Sequence, residues 1–158
     1  MLVMVMGFDK RYKYRKIPKD QLNINRDEYL WTMKEFKKYY LIAAKPEEVY
    51  LALTTPITIQ LWSGEEAVMS TEVNTEFSLW EGSISGKNLE FEKDKKIVQQ
   101  WYFGEQSEPS IVTIKLHPHD KGTSLEVRQS NIPDQDYDDI VDGWDNIYMA
   151  SLQDFYEA

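Results

Sequence analysis

The sequence predicts an α+β domain in which a mostly antiparallel sheet packs on one long C-terminal helix, with a short helical pair following the first strand. Three observations carry this. Across residues 143–155, Trp144, Ile147, Tyr148, Leu152 and Phe155 recur at spacings of three and four, while Asp145, Asn146, Gln153 and Asp154 turn away. That is the pattern of an amphipathic helix whose apolar stripe needs a partner. From Ala67 onward the period switches to two, and the connections are too short to hold crossover helices, so the strands must pair antiparallel. Between the first strand and that point, Pro46 and Pro56 punctuate two short helical stretches, since proline opens a helix well and continues one badly.

In order along the chain, Asn25 is placed to cap a short helix through Lys34, with Asp27 and Glu28 in its first turn, where negative charge suits the helix dipole. Residues 36–43, rich in aromatic and aliphatic side chains, read as the first strand. Pro46, Glu47 and Glu48 open a helix through Val49, Tyr50 and Leu53, and a second short helix spans residues 57–62. In the period-two region Ile97, Gln99, Trp101 and Phe103 share one face of a strand, Val112, Ile114 and Leu116 that of a second, and Leu125, Val127 and Gln129 that of a third. Hairpin turns are expected at Glu81 and Gly82, at residues 93–96, and at residues 117–123, where Gly122 supplies positive φ.

A chain of 158 residues is sized for one domain with a tail, and its 42% hydrophobic and 13% aromatic content excludes disorder throughout. The absence of cysteine excludes disulfides, a thiolate nucleophile and cysteine zinc sites, and fits a reducing, cytoplasmic setting. The net charge of −9 argues against general nucleic-acid binding, which needs a clustered basic surface. The charge is unevenly spread: residues 1–38 hold 10 Lys or Arg against 5 Asp or Glu, and residues 39–158 hold 8 against 22. Residues 1–35 are therefore set apart as a basic N-terminal extension, part disordered and part short helix, and residues 36–158 as the domain. Lys10, Arg11, Lys13, Arg15, Lys16 and Lys19 around Tyr12 and Tyr14 fit a solvated tail or a contact with acidic lipid or nucleic acid; a start at Met33 would remove them. The apolar residues 1–6 are too short to span a bilayer and lack signal-peptide features.

Several motifs, in order, resemble the family of activators of Hsp90 ATPase, within the START-like, Bet v 1-like superfamily. They are Pro46, Val49, Tyr50, Ala52, Leu53 and Thr54; Trp62; the run Leu79, Trp80, Glu81, Gly82, Ser83, Ile84, Ser85 and Gly86; the run from Lys96 to Trp101; the run from Thr123 to Val127; and Gly143, Trp144, Tyr148 and Leu152. The resemblance covers about residues 36–157. It implies a helix-grip fold, a strongly curved antiparallel sheet wrapped around the C-terminal helix, and it brings in a possible role in stress physiology through a chaperone partner. The scaffold alone does not fix function, because carriers, chaperone cofactors and some enzymes share it.

Candidate chemistry is sparse. His117 and His119 have a spacing that offers two metal ligands on a strand, but Pro118 and the expected turn favour a polar hairpin. Asp134, Asp136 and Asp138 match the first positions of a calcium loop, yet Asp139 stands where glycine is needed and Asp145 where glutamate is needed. Glu65 with Glu66 and Glu90 with Glu92 lack any neighbouring histidine, phosphate loop or nucleophile elbow. No catalytic residue, metal ligand or cofactor is assigned. Trp62, Phe77, Gln99, Trp101, Phe103, Gln129, Trp144 and Tyr148 are candidates to line a cavity between sheet and helix, with the glutamines as polar handles; the bland alternative is a filled core. Asp138, Asp142 and Asp145 form an acidic helix face suited to solvent or to a protein partner. Two readings follow: a non-catalytic pocket for a small hydrophobic or aromatic ligand, or an Hsp90-activator-like interaction module. An enzyme acting on a hydrophobic molecule is the lesser expectation.

Overall fold

A computed structural model describes residues 2–3, 15–16, 33–103 and 108–157. Two short strands, β1 (Leu2–Val3) and β2 (Arg15–Lys16), pair antiparallel with each other. The domain proper begins at β3 (Met33–Ile42), followed by helices α1 (Pro46–Thr54) and α2 (Pro56–Ser63) and then strands β4 (Glu76–Leu79), β5 (Ile84–Glu92), β6 (Lys96–Trp101), β7 (Ser110–His119) and β8 (Gly122–Pro133). The last element is one helical run: a 3-10 turn (Asp134–Asp136), α3 (Tyr137–Gly143), a π turn (Trp144–Tyr148) and α4 (Met149–Glu157).

Six strands form one antiparallel sheet in the order β3-β8-β7-β6-β5-β4. Strands β4 to β8 are a meander, and β3 joins its far edge beside β8, so α1 and α2 carry the chain from one edge to the other. With strands about 4.8 Å apart, that crossing is roughly 24 Å, which explains why two helices and a long loop stand there. Two bulges bend the sheet: one where β3 leaves register with β8 between Lys34 and Phe36, the other where β5 leaves register with β6 between Asn88 and Glu90. Each adds local twist and curls a strand toward the helix. Asn131, opposite the first bulge, takes a φ of 52°, a conformation asparagine tolerates better than most residues.

The predicted faces are the observed ones. Ile97, Gln99, Trp101 and Phe103 are buried together with Val112, Ile114, Leu116, Leu125, Val127 and Gln129. The C-terminal helix adds Ile140, Trp144, Tyr148, Met149 and Leu152 to the same core. Its end is tied down by polar contacts: Gln153 Nε2 donates to the Leu41 carbonyl at 3.0 Å, and the Tyr156 hydroxyl donates to the Glu48 carbonyl at 3.2 Å. Trp62 Nε1 donates to the Ala52 carbonyl at 2.8 Å, fastening α2 to α1.

Three expectations need correction. The helix proposed over residues 25–34 lies mostly outside the described residues, but Met33 and Lys34 belong to β3, where they pair with Pro133 and Ile132; cross-strand pairing outweighs a helix signal built on one cap. The turn expected across residues 117–123 is tighter, because β7 continues through His119 and β8 starts at Gly122. Pro118 is tolerated inside that strand because the β6 ladder stops at Lys115, leaving the proline on an unpaired edge. Phe155, placed on the apolar stripe, is 37% exposed, because the π turn shifts the helix phase and Tyr156 instead takes the inward position against the core.

Gly86 shows how closely the curled strands approach. A Cβ there would run into the Gln100 carbonyl and come within 2.8 Å of the Phe77 ring. Gly86→Ala is expected to lower stability by about 1–3 kcal/mol, read as a reduced urea midpoint with an unchanged slope.

Candidate functional site

The space between sheet and helix is occupied by aromatic rings arranged around Tyr148. Trp101 from β6 and Trp144 from the π turn stack with centroids 4.8 Å apart and planes 19° apart. Trp144 also meets Tyr148 at 4.7 Å, and Tyr148 meets Trp62 at 5.2 Å and Trp80 at 5.6 Å. All five rings are buried. Aromatic pairs of this kind contribute about 0.5–1.5 kcal/mol each beyond their burial. Burial pushes the Tyr148 phenol above its ordinary value, so it stays neutral.

The Trp101 and Trp144 indoles and the amides beside them are all partnered, whereas the Tyr148 hydroxyl makes no hydrogen bond among the described residues. Trp101 Nε1 donates to Gln99 Oε1 at 3.2 Å, and Gln99 Nε2 donates to Asn88 Oδ1 at 3.0 Å. Asn88 Nδ2 in turn donates to the Ser70 carbonyl at 3.2 Å and lies 3.6 Å from Met69 Sδ. On the other side Trp144 Nε1 donates to Gln129 Oε1 at 2.9 Å, Gln129 Nε2 donates to Ser110 Oγ at 3.1 Å, and Ser110 Oγ donates to the Ser130 carbonyl at 2.8 Å. One polar chain thus crosses the core from the loop after α2 to the β7–β8 pair, interrupted only by two stacked indoles. Buried amides and indole N–H groups require such partners.

The structure brings six of the eight predicted lining residues into this arrangement, namely Trp62, Gln99, Trp101, Gln129, Trp144 and Tyr148, while Phe77 is buried in the core beside Gly86. Phe103 is fully buried as the sheet leaves β6. Trp80, named above only for the resemblance, and Asn88 and Ser110 belong to the same cluster and are not among the eight. Trp80 has φ of 48° and heads a left-handed run with Glu81 and Gly82; such a conformation in a bulky residue costs on the order of 1 kcal/mol and aims the indole inward. A tryptophan beside a Glu-Gly turn was the available signal. Neither Asn88 nor Ser110 stands out in a strand pattern, because a buried polar residue looks like an outward one until its partner is known.

Two open clefts lie elsewhere on the domain, and none of the eight lines either. One, of about 880 Å³, sits between α1, the loop after α2 and the β5–β6 turn. The other, of about 760 Å³, gathers Lys45, Lys95, Lys96, Lys115, His117 and His119 at the hairpin ends. His117 Nε2 is 3.8 Å from Glu126 Oε2, and His119 Nδ1 accepts from the Lys121 amide at 3.1 Å. Among the described residues no group of three His, Asp or Glu is arranged to hold a metal.

The acidic helix face divides. Asp138 and Asp142 are exposed, and Asp142 Oδ1 accepts from Asn146 Nδ2 at 2.7 Å. Asp145 differs from the expectation of a partner-facing carboxylate: its Oδ1 accepts from both Lys38 Nζ and the Tyr40 hydroxyl of β3, each at 2.7 Å. Burial would raise the Asp145 carboxyl, but those two hydrogen bonds hold it below the usual carboxylate value. The helix is clasped to the edge strand on its outer side as it is stacked on the sheet on its inner side.

The sequence profile of the Activator of Hsp90 ATPase homolog 1-like proteins matches residues 43–157. The chain belongs to that family. Among curated relatives of this Hsp90-activator-type domain, the human activator of 90 kDa heat shock protein ATPase homolog 1 is 27% identical over 110 residues, covering 68% of this chain and 32% of the human protein. The Dictyostelium discoideum homolog is 28% identical over 116 residues, covering 72% of this chain and 30% of that protein. The chain therefore spans about a third of the length of the curated relatives it matches. Among solved structures, an HSP90 activator from Plasmodium falciparum superposes with a TM-score of 0.65 at 26% identity, covering 77% of this chain and 93% of that one. A protein from Mesorhizobium loti gives 0.65 at 25% identity, with 78% and 97% covered. The helix-grip architecture of the activator-type domain is common to these proteins and to this chain.

Gln129→Leu is expected to cost about 1–3 kcal/mol, because it strands the Trp144 N–H and removes a partner of Ser110; chemical denaturation followed by tryptophan fluorescence reads it. Asp145→Asn is expected to cost about 1 kcal/mol at pH 7. Because the folded Asp145 carboxyl sits below its unfolded value, its contribution is complete above the ordinary carboxylate range and is lost as pH falls through the lowered folded value. The stability gap between wild type and Asp145→Asn should accordingly close in acid.

Proposed function

We propose that this domain is a non-catalytic interaction module for a chaperone of the Hsp90 type, engaged in part through Asp138 and Asp142. The observation that carries this reading is the disposition of its polar groups. Gln99 and Gln129, which would orient a ligand in the grip, are held by indole N–H groups, whereas Asp138 and Asp142 stand outside with no Lys or Arg within ion-pair distance among the described residues. A small hydrophobic ligand between sheet and helix would have to part the Trp101–Trp144 stack or take an indole from its glutamine. Docking on the outer face disturbs neither. Large apolar side chains are also displayed outside the core, with Ile57 70% and Leu61 66% exposed one turn apart on α2, and such side chains at the centre of a contact supply what charges at its rim do not. Asp145 serves this reading by fixing the helix on β3. Family membership supports the choice of chaperone, and a cytoplasmic setting goes with it. No helix among the described residues is long and apolar enough to cross a membrane.

Purified Hsp90 titrated with this chain should bind with an affinity that falls as salt rises, and the double variant Asp138→Lys, Asp142→Lys should weaken binding roughly tenfold at low salt through slower association. Unchanged affinity in that variant removes the acidic face from the proposal, and no binding by the wild type removes the chaperone. Saturable uptake of a fluorescent apolar probe that perturbs Trp101 and Trp144 would favour a ligand in the grip instead.

A further inference from the structure

The cleft of about 880 Å³ between α1, the loop after α2 and the β5–β6 turn has the size of a small-molecule site. Its floor is apolar and fixed. Tyr50 and Met69 are 7% and 8% exposed, Phe91 packs against the core from beside them, and Met69 lies against Asn88 Nδ2, which the Gln99 side chain anchors in turn. Its rim is acidic, with Glu47, Glu72 and Asp94 facing Lys93 alone among the lining cations.

Tyr50 is the informative residue. It lies more than nine-tenths buried in the cleft wall, yet its hydroxyl has no hydrogen-bond partner among the described residues. Of the smaller hydroxyls along the cleft, Thr54 Oγ1 donates to the Tyr50 carbonyl at 2.7 Å and Ser70 Oγ accepts from the Glu72 amide at 2.9 Å. Burial and the nearby Asp94 carboxylate both push the Tyr50 phenol above its ordinary value, so the group stays a neutral O–H with lone pairs facing the cleft. An unpartnered phenol O–H that opens onto the cleft is available to a ligand both as donor and as acceptor.

We propose that this cleft binds a small amphipathic amine, its apolar or aromatic body on Tyr50, Met69 and Phe91 and its ammonium between the Tyr50 hydroxyl and the Asp94 carboxylate. An ammonium has donors only, and what this corner presents is a phenol oxygen, a carboxylate and an aromatic face, all of which attract a cation. An anion would meet three carboxylates. A purely apolar molecule would leave the phenol unmatched. The cleft is separate from the grip and from Asp138 and Asp142, so this site stands or falls independently of chaperone binding.

Phenethylamine and hydrocinnamate carry the same ring on opposite charges, which makes them suitable probes in an amide NMR titration of the full chain. Phenethylamine should give saturable shifts at Tyr50, Met69, Phe91 and Asp94, and hydrocinnamate should give none at the same concentrations. Asp94→Asn should weaken phenethylamine binding by about fivefold or more, the equivalent of one favourable charge contact. This variant keeps the turn, since Asp94 has φ of 63° and asparagine accepts that conformation. Tyr50→Phe keeps the ring and should also weaken binding. No saturation into the millimolar range, equal binding of hydrocinnamate, or affinity unchanged in both variants would overturn the proposal.

Discussion

The contact between Trp101 and Trp144 constrains everything around it. Two indoles stacked 4.8 Å apart exclude water from the centre of the grip and leave each N–H pointing away, where it must find an acceptor in the sheet. Gln99 lies two residues from Trp101 on the same inward face of β6, and Gln129 lies on the inward face of β8. Those positions are the ones that can meet the two N–H groups without bending either ring. The glutamines then need donors and acceptors of their own, which places Asn88 at the β5 bulge and Ser110 at the start of β7. A sheet carrying four buried amide or hydroxyl side chains on its inner face would be costly if any one were orphaned. Here each is matched, so the same network that limits sequence choice also specifies how far the helix sits along the strands.

On the outside, charge is mixed at one end of the domain and acidic at another. Lys45, Lys95, Lys96 and Lys115 share one cleft at the hairpin end with Glu47, Glu92 and Asp94, and Lys95 and Lys96 pair with Glu92 and Glu90, while Asp134, Asp138, Asp139 and Asp142 follow the start of the C-terminal helix. An uncompensated acidic helix start of this kind steers a basic partner before contact, which acts on encounter rate more than on the strength of the final complex. The cations of β3 modify this picture. Lys34 pairs with Asp134 at 2.8 Å and Lys38 with Asp145 at 2.7 Å, so the edge strand neutralises part of the helix charge and leaves Asp138, Asp139 and Asp142 as its outward remainder.

How much of this could be read from the chain depends on whether a feature is local. Period-two alternation identified the inward faces of β6, β7 and β8, and the Pro46 and Pro56 signals located both short helices, because each depends on a few adjacent residues. The aromatic set around the grip was also identifiable, since large rings at inward strand and helix positions have few other places to go. The partners of those rings were not. Gln99 and Gln129 looked like handles for a ligand because a sequence does not say that an indole from a different element fills the same volume. Asp145 looked like its neighbours on the helix face, and only the arrival of β3, more than a hundred residues earlier in the chain, distinguishes it. Met33 and Lys34 were assigned to a helix for the same reason: their strand partners, Pro133 and Ile132, lie at the far end of β8.

The π turn at Trp144–Tyr148 closes on a bond from the Met149 amide to the Trp144 carbonyl, one residue wider than an α-helical turn. It therefore acts as a phase adjuster between two helical segments. Each α-helical residue advances about 100° around the axis, and the extra residue sets the angle at which α4 presents Leu152 to the core and Gln153 to the rim of β3, relative to Ile140 and Val141 upstream. Were the same residues to follow a regular α-helical path, the second half would be misdirected by about 100°. The wide turn is thus what lets Met149, Leu152 and Tyr156 reach their contacts on the same helix that seats Ile140 upstream.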